Sequence, residues 1–202
     1  LAVDTNNGNG QEPWFSDGTA AGTVALGDLH PGSMPSTPRG FTAFGALAAF
    51  SADDGVHGRE MWLTDGTSAG TTLLDLDPGS GSGDPLYFTV HQNQLLFNAS
   101  DANGRELWHS DGTAAGTMML VDLYPGPSNS NPNGFTAVGN ELWFEAGAPS
   151  VGSEFFRTDG TAAGTQIVAD LVPGNAGTYP AAIAAFGAGV LFTGYVGGAG
   201  SE

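Results

Sequence analysis

Oxygen-bearing side chains crowd two short stretches of this chain. Asp53-Asp54-Gly-Val-His-Gly-Arg-Glu60 and Asp101-Ala-Asn103-Gly-Arg-Glu106 gather hard donors at the density that Ca²⁺ favours. Neither follows the spacing of an EF-hand loop, and the matching stretch further on, Gly147-Ala-Pro-Ser-Val-Gly-Ser153, carries no carboxylate. Asp53, Asp54, Asp101 and Asn103 are therefore the candidate ligand-loop positions and Ca²⁺ ligands, weighed against solvated turn residues. The histidines at 30, 57, 91 and 109 fall at unrelated positions. No metal trio and no Ser–His–Asp arrangement can be read from them, and no catalytic residue is assigned.

Each stretch leads into a phrase that recurs four times. It runs Glu12-Pro-Trp-Phe-Ser-Asp-Gly-Thr-Ala-Ala-Gly-Thr23, with copies beginning at Glu60, Glu106 and Glu154. Its aspartates, Asp17, Asp65, Asp111 and Asp159, are spaced 48, 46 and 48 residues apart. A period of that size marks one supersecondary unit copied along the chain, each copy unable to bury its apolar faces alone. Redundancy assigns the repeated residues to structure, because one active site does not need four copies. The four aspartates are read as turn residues, their carboxylates accepting backbone N–H groups. Trp14, Trp62, Trp108 and Phe156 are the candidate core. The four motif glutamates are expected to make structural hydrogen bonds or ion pairs between units, with Arg59 and Arg105 directly before two of them. A second carboxylate set, Asp28, Asp75, Asp122 and Asp170, is read as anchoring loops.

These side chains need elements to hold them, and the third unit shows which. Strands are expected over 134–139, 141–146, 152–158 and 166–171, with Gly139-Asn140 suited to a tight hairpin. Apolar residues lie on both faces of single strands, as in Leu142-Trp-Phe144, which suits a sheet covered on both sides. Nothing has helical periodicity over the length a helix needs. The expectation is an all-β protein: a β-propeller, or part of one, of about four tandem 46–48-residue, four-stranded antiparallel blades. A β-solenoid is the runner-up. The frame gives one repeat domain over 1–202, with outer strands of a partial blade at 1–29. Full blades follow at 40–76, 84–123 and 134–171, then inner strands of a partial blade at 180–202. Both termini cut a repeat in mid-course, so a fragment of a longer array is expected, with self-association completing the ring as one arrangement.

Charge narrows the partners. The chain has 21 acidic residues, four arginines and no lysine, for a net charge of −17. Nucleic acid is excluded as a partner, since phosphate binding needs a basic footprint. An anionic membrane surface is disfavoured for the same reason, and no apolar run is long enough to span a bilayer. Without cysteine there is no disulfide and no thiolate chemistry.

Glu106-Leu-Trp-His-Ser-Asp-Gly-Thr113 resembles, as a full match, the bacterial repeat family named for its Glu-Leu-Trp-x-x-Asp-Gly-Thr motif. Met61 replaces Leu in one copy, Pro13 in another, and Phe155-Phe156 replace Leu-Trp in the last. The resemblance covers essentially the whole chain. It implies a propeller-like, secreted or cell-surface bacterial repeat protein and brings no catalytic residues. The expected function is a non-catalytic scaffold or adhesion module, binding protein or glycan through the loops at 30–39, 77–85, 124–133 and 172–179, with Ca²⁺ assisting. The rival expectations are a propeller-type carbohydrate-active hydrolase or lyase, and a purely structural spacer.

Overall fold

The structure, a computed structural model, describes residues 2–4, 8, 10–196 and 200–201. Residues 1, 5–7, 9, 197–199 and 202, which belong to the expected partial blades, lie outside the described residues. The described chain is all-β, with no helix, and every strand pairing is antiparallel.

The first sheet holds β1 (Ala2–Asp4), β2 (Gln11–Ser16) and β3 (Thr23–Ala25). Strand β1 sits beside β2, in the place a second strand takes in the later sheets. Three four-stranded meanders follow. The second sheet is β4 (Arg39–Phe44), β5 (Leu47–Asp53), β6 (Arg59–Thr64) and β7 (Thr72–Leu74). The third is β8 (Leu86–His91), β9 (Gln94–Asp101), β10 (Gly104–Ser110) and β11 (Met118–Val121). The fourth is β12 (Asn133–Val138), β13 (Glu141–Ala148), β14 (Gly152–Thr158) and β15 (Gln166–Ala169). Two hairpins close the described chain, β16 (Ala181–Phe186) with β17 (Gly189–Thr193), and β18 (Tyr195–Val196) with β19 (Gly200–Ser201).

Alternation along β9 explains how the sheets stack. Leu95, Phe97 and Ala99 share one apolar cluster with Phe44, Ala49, Met61 and Leu63 of the second sheet. Leu96, one residue out of phase, packs instead with Leu142, Phe144 and Phe156 of the fourth. A period of two thus sends neighbouring side chains to opposite faces, and both faces of the third sheet are covered. The leading strands β4, β8, β12 and β16 lie successively against one another.

The largest fully buried side chains are Phe50, Phe97 and Phe144, one per complete sheet at equivalent places in β5, β9 and β13. Each meets a phenylalanine of its leading strand, Phe41, Phe88 or Phe135, at centroid distances of 5.0, 5.3 and 5.4 Å. Burying such a ring stabilises by roughly 1.5–3 kcal/mol. Trp62, Trp108 and Phe156 are also buried, whereas Trp14 in the three-stranded first sheet is only half-buried.

Candidate functional site

The Asp-Gly-Thr turns are built identically in all four copies. In the third, Asp111 Oδ1 accepts the Thr113 backbone N–H at 2.8 Å and its hydroxyl at 2.7 Å. Thr113 Oγ1 in turn accepts the Gly116 N–H at 3.0 Å. Asp17, Asp65 and Asp159 make the same pair of bonds to Thr19, Thr67 and Thr161. A β-carbon on Gly116 would stand 2.1 Å from Asp111 Oδ1, which accounts for the motif's second glycine. Threonine side-chain and backbone donors hold Asp65, Asp111 and Asp159 below the usual carboxylate range. At Asp17 the Thr19 backbone bond leads.

The motif glutamates are buried, and each ties its sheet to the next. Glu106 accepts the Leu123 N–H at 2.8 Å and the Ser130 N–H at 3.0 Å, with the Ser130 hydroxyl as a third donor. Ser130 O then accepts from Gly147 N of the fourth sheet at 2.7 Å. The same relay runs from Glu12 through Ser36 to Asp53, from Glu60 through Gly83 to Ser100, and from Glu154 through Thr178 to Tyr195. Between its two feet, Leu123 and Ser130, the Pro-Gly loop projects. The bonds are to backbone and hydroxyl groups; neither Arg59 nor Arg105 pairs with its neighbouring glutamate.

One substitution separates the copies chemically. Gly83 stands where Ser36, Ser130 and Thr178 offer a hydroxyl, so Glu60 has only the Leu76 and Gly83 N–H donors. Burial pushes its carboxyl up to about 7 against those donors, and the nearby Asp75 and Asp77 add to the rise. Burial also raises Glu106, with the Ser130 hydroxyl opposing it most strongly.

The two acidic stretches sit in separate loops of the second and third sheets. Asp53 Oδ1 accepts Gly55 N–H, and Asp54 Oδ1 accepts Val56 and His57 N–H at 2.9 and 2.7 Å. His57 Nδ1 lies 2.6 Å from Asp54 Oδ2. Burial raises the Asp54 pKa, but the His57 and Val56 bonds outweigh it and leave the group lowered. Asp101 similarly accepts the backbone and side-chain nitrogens of Asn103. Among the described residues no group of three or more His, Asp or Glu side chains converges as a metal site would. Asp101 and Asn103 instead line a cleft of about 330 Å³ between the second and third sheets, with Asp75, Trp108, Met118 and Met119.

A different cluster joins these two sheets, at the feet of the Pro-Gly loops. Arg39 Nη2 lies 2.5 Å from Asp84 Oδ1, and Arg105 Nη2 lies 3.0 Å from Asp84 Oδ2. Arg105 Nη1 also donates to the Asp84 carbonyl at 2.8 Å and to Asn98 Oδ1 at 3.0 Å. Arg59 Nε stands 3.9 Å from Asp84 Oδ1, while its tip donates to Thr37. Composition drew attention to carboxylates and passed over this meeting of arginines. The alignable signal was the residue before each strand-opening proline, Thr37, Asp84, Asn131 and Tyr179, all at positive φ.

Compared with known proteins, the chain matches no protein-family model and no curated protein.

Proposed function

We propose that this chain is a β-propeller, or part of one, akin to the secreted bacterial Glu-Leu-Trp-x-x-Asp-Gly-Thr repeat proteins. We further propose that it serves as a non-catalytic extracellular scaffold or adhesion module binding protein or glycan through its inter-sheet loops. Face-to-face stacking of four-stranded meanders, with their leading strands against one another, supports the propeller.

One observation carries the function. The motif aspartates and glutamates, which recur in every copy, are consumed in holding the frame, the aspartates in turns and the glutamates in sheet-to-sheet relays. What varies is the stretch between the loop feet, 30–35, 77–82 and 124–129, which includes the exposed Met34, Ser80 and Ser128. Varied loops on a rigid frame are where recognition is usually placed.

The test is loop exchange. The wild-type chain is screened against immobilised glycans and extracellular-matrix proteins, and the screen is repeated after the 77–82 segment is replaced by the 124–129 sequence. Loss or change of the bound set with an unchanged melting temperature supports the reading. An unchanged set of ligands contradicts it.

A further inference from the structure

The grooves between successive sheets differ in what fills them. Between the first and second sheets, Leu29 packs with Phe50 and Trp62. Beside it, His30 Nδ1 stands 3.9 Å from Asp53 Oδ1, and the ring lies so close over Gly55 that a β-carbon there would meet its Nε2 at 2.5 Å. That groove is closed from within by an apolar side chain and an imidazole. In the next groove Leu76 repeats Leu29, but Asp77 follows it where His30 follows Leu29. The Asp77 carboxylate lies against Gly81 of its own loop instead. The groove stays open as the cleft of about 330 Å³, within the range of about 300–1,000 Å³ that ligand pockets occupy.

Its lining has two parts. Asp75 of the second sheet and Asp101 of the third put a carboxylate on each wall, while Leu74, Trp108, Met118 and Met119 make an apolar run. Asp101 pairs with Gly104 at the start of β10, and Met118 pairs with His109 near its end. Five residues of strand place roughly 16 Å between the acidic end and the Met118 end. Neither part belongs to the shared frame. The fourth sheet's stretch 147–153 has no carboxylate, and Val24, Thr72 and Gln166 stand where Met118 stands. Trp108, only 6% exposed, keeps an indole N–H with no acceptor among the described residues, whereas Trp62 at the same place donates to Ala52 O at 3.2 Å.

The acidic end has no cation of its own. The chain has no lysine, and its four arginines are engaged elsewhere, three around Asp84 and Arg157 with Glu141. His57 is bonded to Asp54 at 2.6 Å, and Asp75 acts on it only through space.

We propose that this groove binds an extended basic segment of a partner protein. One lysine or arginine lies between Asp75 and Asp101, and an apolar side chain four residues along lies on Met118 and Met119. A spacing of four keeps both side chains on one face of an extended chain. The basic residue suits both parts of the lining, its methylenes on the apolar wall and its head at the carboxylates. Unbranched thioethers adapt to the apolar residue, and the segment's backbone brings carbonyls, the kind of acceptor that Trp108 lacks. A net charge of −17 favours the approach of such a partner. This goes beyond the scaffold reading, since no lining residue falls within the loop segments 77–82 or 124–129.

The test is titration of the isotope-labelled full chain at physiological salt, read from backbone amide and methionine methyl NMR signals. The probes are the peptide acetyl-Arg-Thr-Thr-Thr-Leu-amide, the same peptide with Lys or with Glu for Arg, one with Ser for Leu, and arginine amide. Saturable shifts at Asn103, Met118 and Met119 are expected with the Arg and Lys peptides and not with the Glu peptide. Asp75→Asn should weaken binding about threefold, and Asp75→Asn with Asp101→Asn about tenfold, at an unchanged melting temperature. Met118→Thr, the residue type found at 72, should weaken the Leu peptide and leave the Ser peptide unaltered. Equal binding of the Glu peptide, full affinity in the double variant, or arginine amide binding as tightly as the peptides would overturn the proposal. So would shifts confined to other acidic surface, or no binding of either basic peptide. Failure of the basic peptides beside a ligand set that loop exchange alters removes the groove and leaves the scaffold reading; peptide binding beside a set that loop exchange leaves unchanged does the reverse.

Discussion

The Glu106 carboxylate reaches 24 residues forward to Ser130, taking its backbone N–H at 3.0 Å and its hydroxyl as well. Because Ser130 O accepts a hydrogen bond from Gly147 N of the fourth sheet, this contact closes the loop by hydrogen bonds and joins two sheets at once. Glu106→Ala removes the acceptor for two buried backbone donors and should destabilise the chain by about 2–5 kcal/mol. Ser130→Ala should cost about 1 kcal/mol and raise the Glu106 pKa further, because it removes the strongest opposing donor. Urea unfolding of both variants measures the first effect, and carboxyl NMR titration the second.

Acidity of the buried glutamates sets a pH slope. Glu60 titrates near 7 in the native chain and near its ordinary 4.5 when unfolded. Between those values the native state holds the extra proton, so stability falls as pH rises. The contribution is fully present below about 4.5 and lost above about 7. Glu106 adds the same sign, as does His57, whose pKa is raised first by its bond to Asp54. The turn aspartates act oppositely and only in acid, where stability is lost as they protonate; His109, whose pKa burial lowers, opposes the three raised groups nearer neutrality. Melting temperature should therefore decline from pH 5 to pH 8, and Glu60→Gln should flatten the decline. A rise over that window would contradict the assignment.

Phe97 is fully buried against Phe88 at a centroid distance of 5.3 Å. Phe97→Ala should cost about 3–5 kcal/mol, whereas Phe186→Ala, at an exposed ring, should stay within about 0.5 kcal/mol. Chemical denaturation distinguishes the two directly.

The acidic stretches make a prediction about calcium. Asp53, Asp54 and Asp101 already accept hydrogen bonds within their own turns. Millimolar Ca²⁺ should leave the melting temperature where EDTA leaves it. A rise of several degrees, absent with equal Mg²⁺, would establish binding and return attention to Asp53, Asp54, Asp101 and Asn103.

Strands and hairpins were legible because a 46–48-residue period repeats each local signal. The third unit shows this: the expected strands 134–139, 141–146 and 152–158 match β12, β13 and β14 to within two residues, and 166–171 matches the start of β15. The core was legible only in part. Tryptophans draw the eye, yet the most enclosed rings are Phe50, Phe97 and Phe144, which share a place that only cross-sheet alternation reveals. The arginine cluster was not legible, because residues 39, 59 and 105 meet only when two sheets stack. Tyr87 could have been found by aligning the copies, since it puts a ring in a column that holds glycine at 40 and 134 and alanine at 182.

Amide hydrogen exchange, read residue by residue at neutral pH, is the most direct test of a rigid frame holding projecting loops by both feet. Strong protection is expected at Leu76, Gly83, Leu123, Ser130 and Thr178, whose N–H groups the buried glutamates accept. Fast exchange is expected at Ser80 and Ser128, exposed between the feet. Equal, fast exchange across both sets would contradict the buried glutamate as the anchor of each loop.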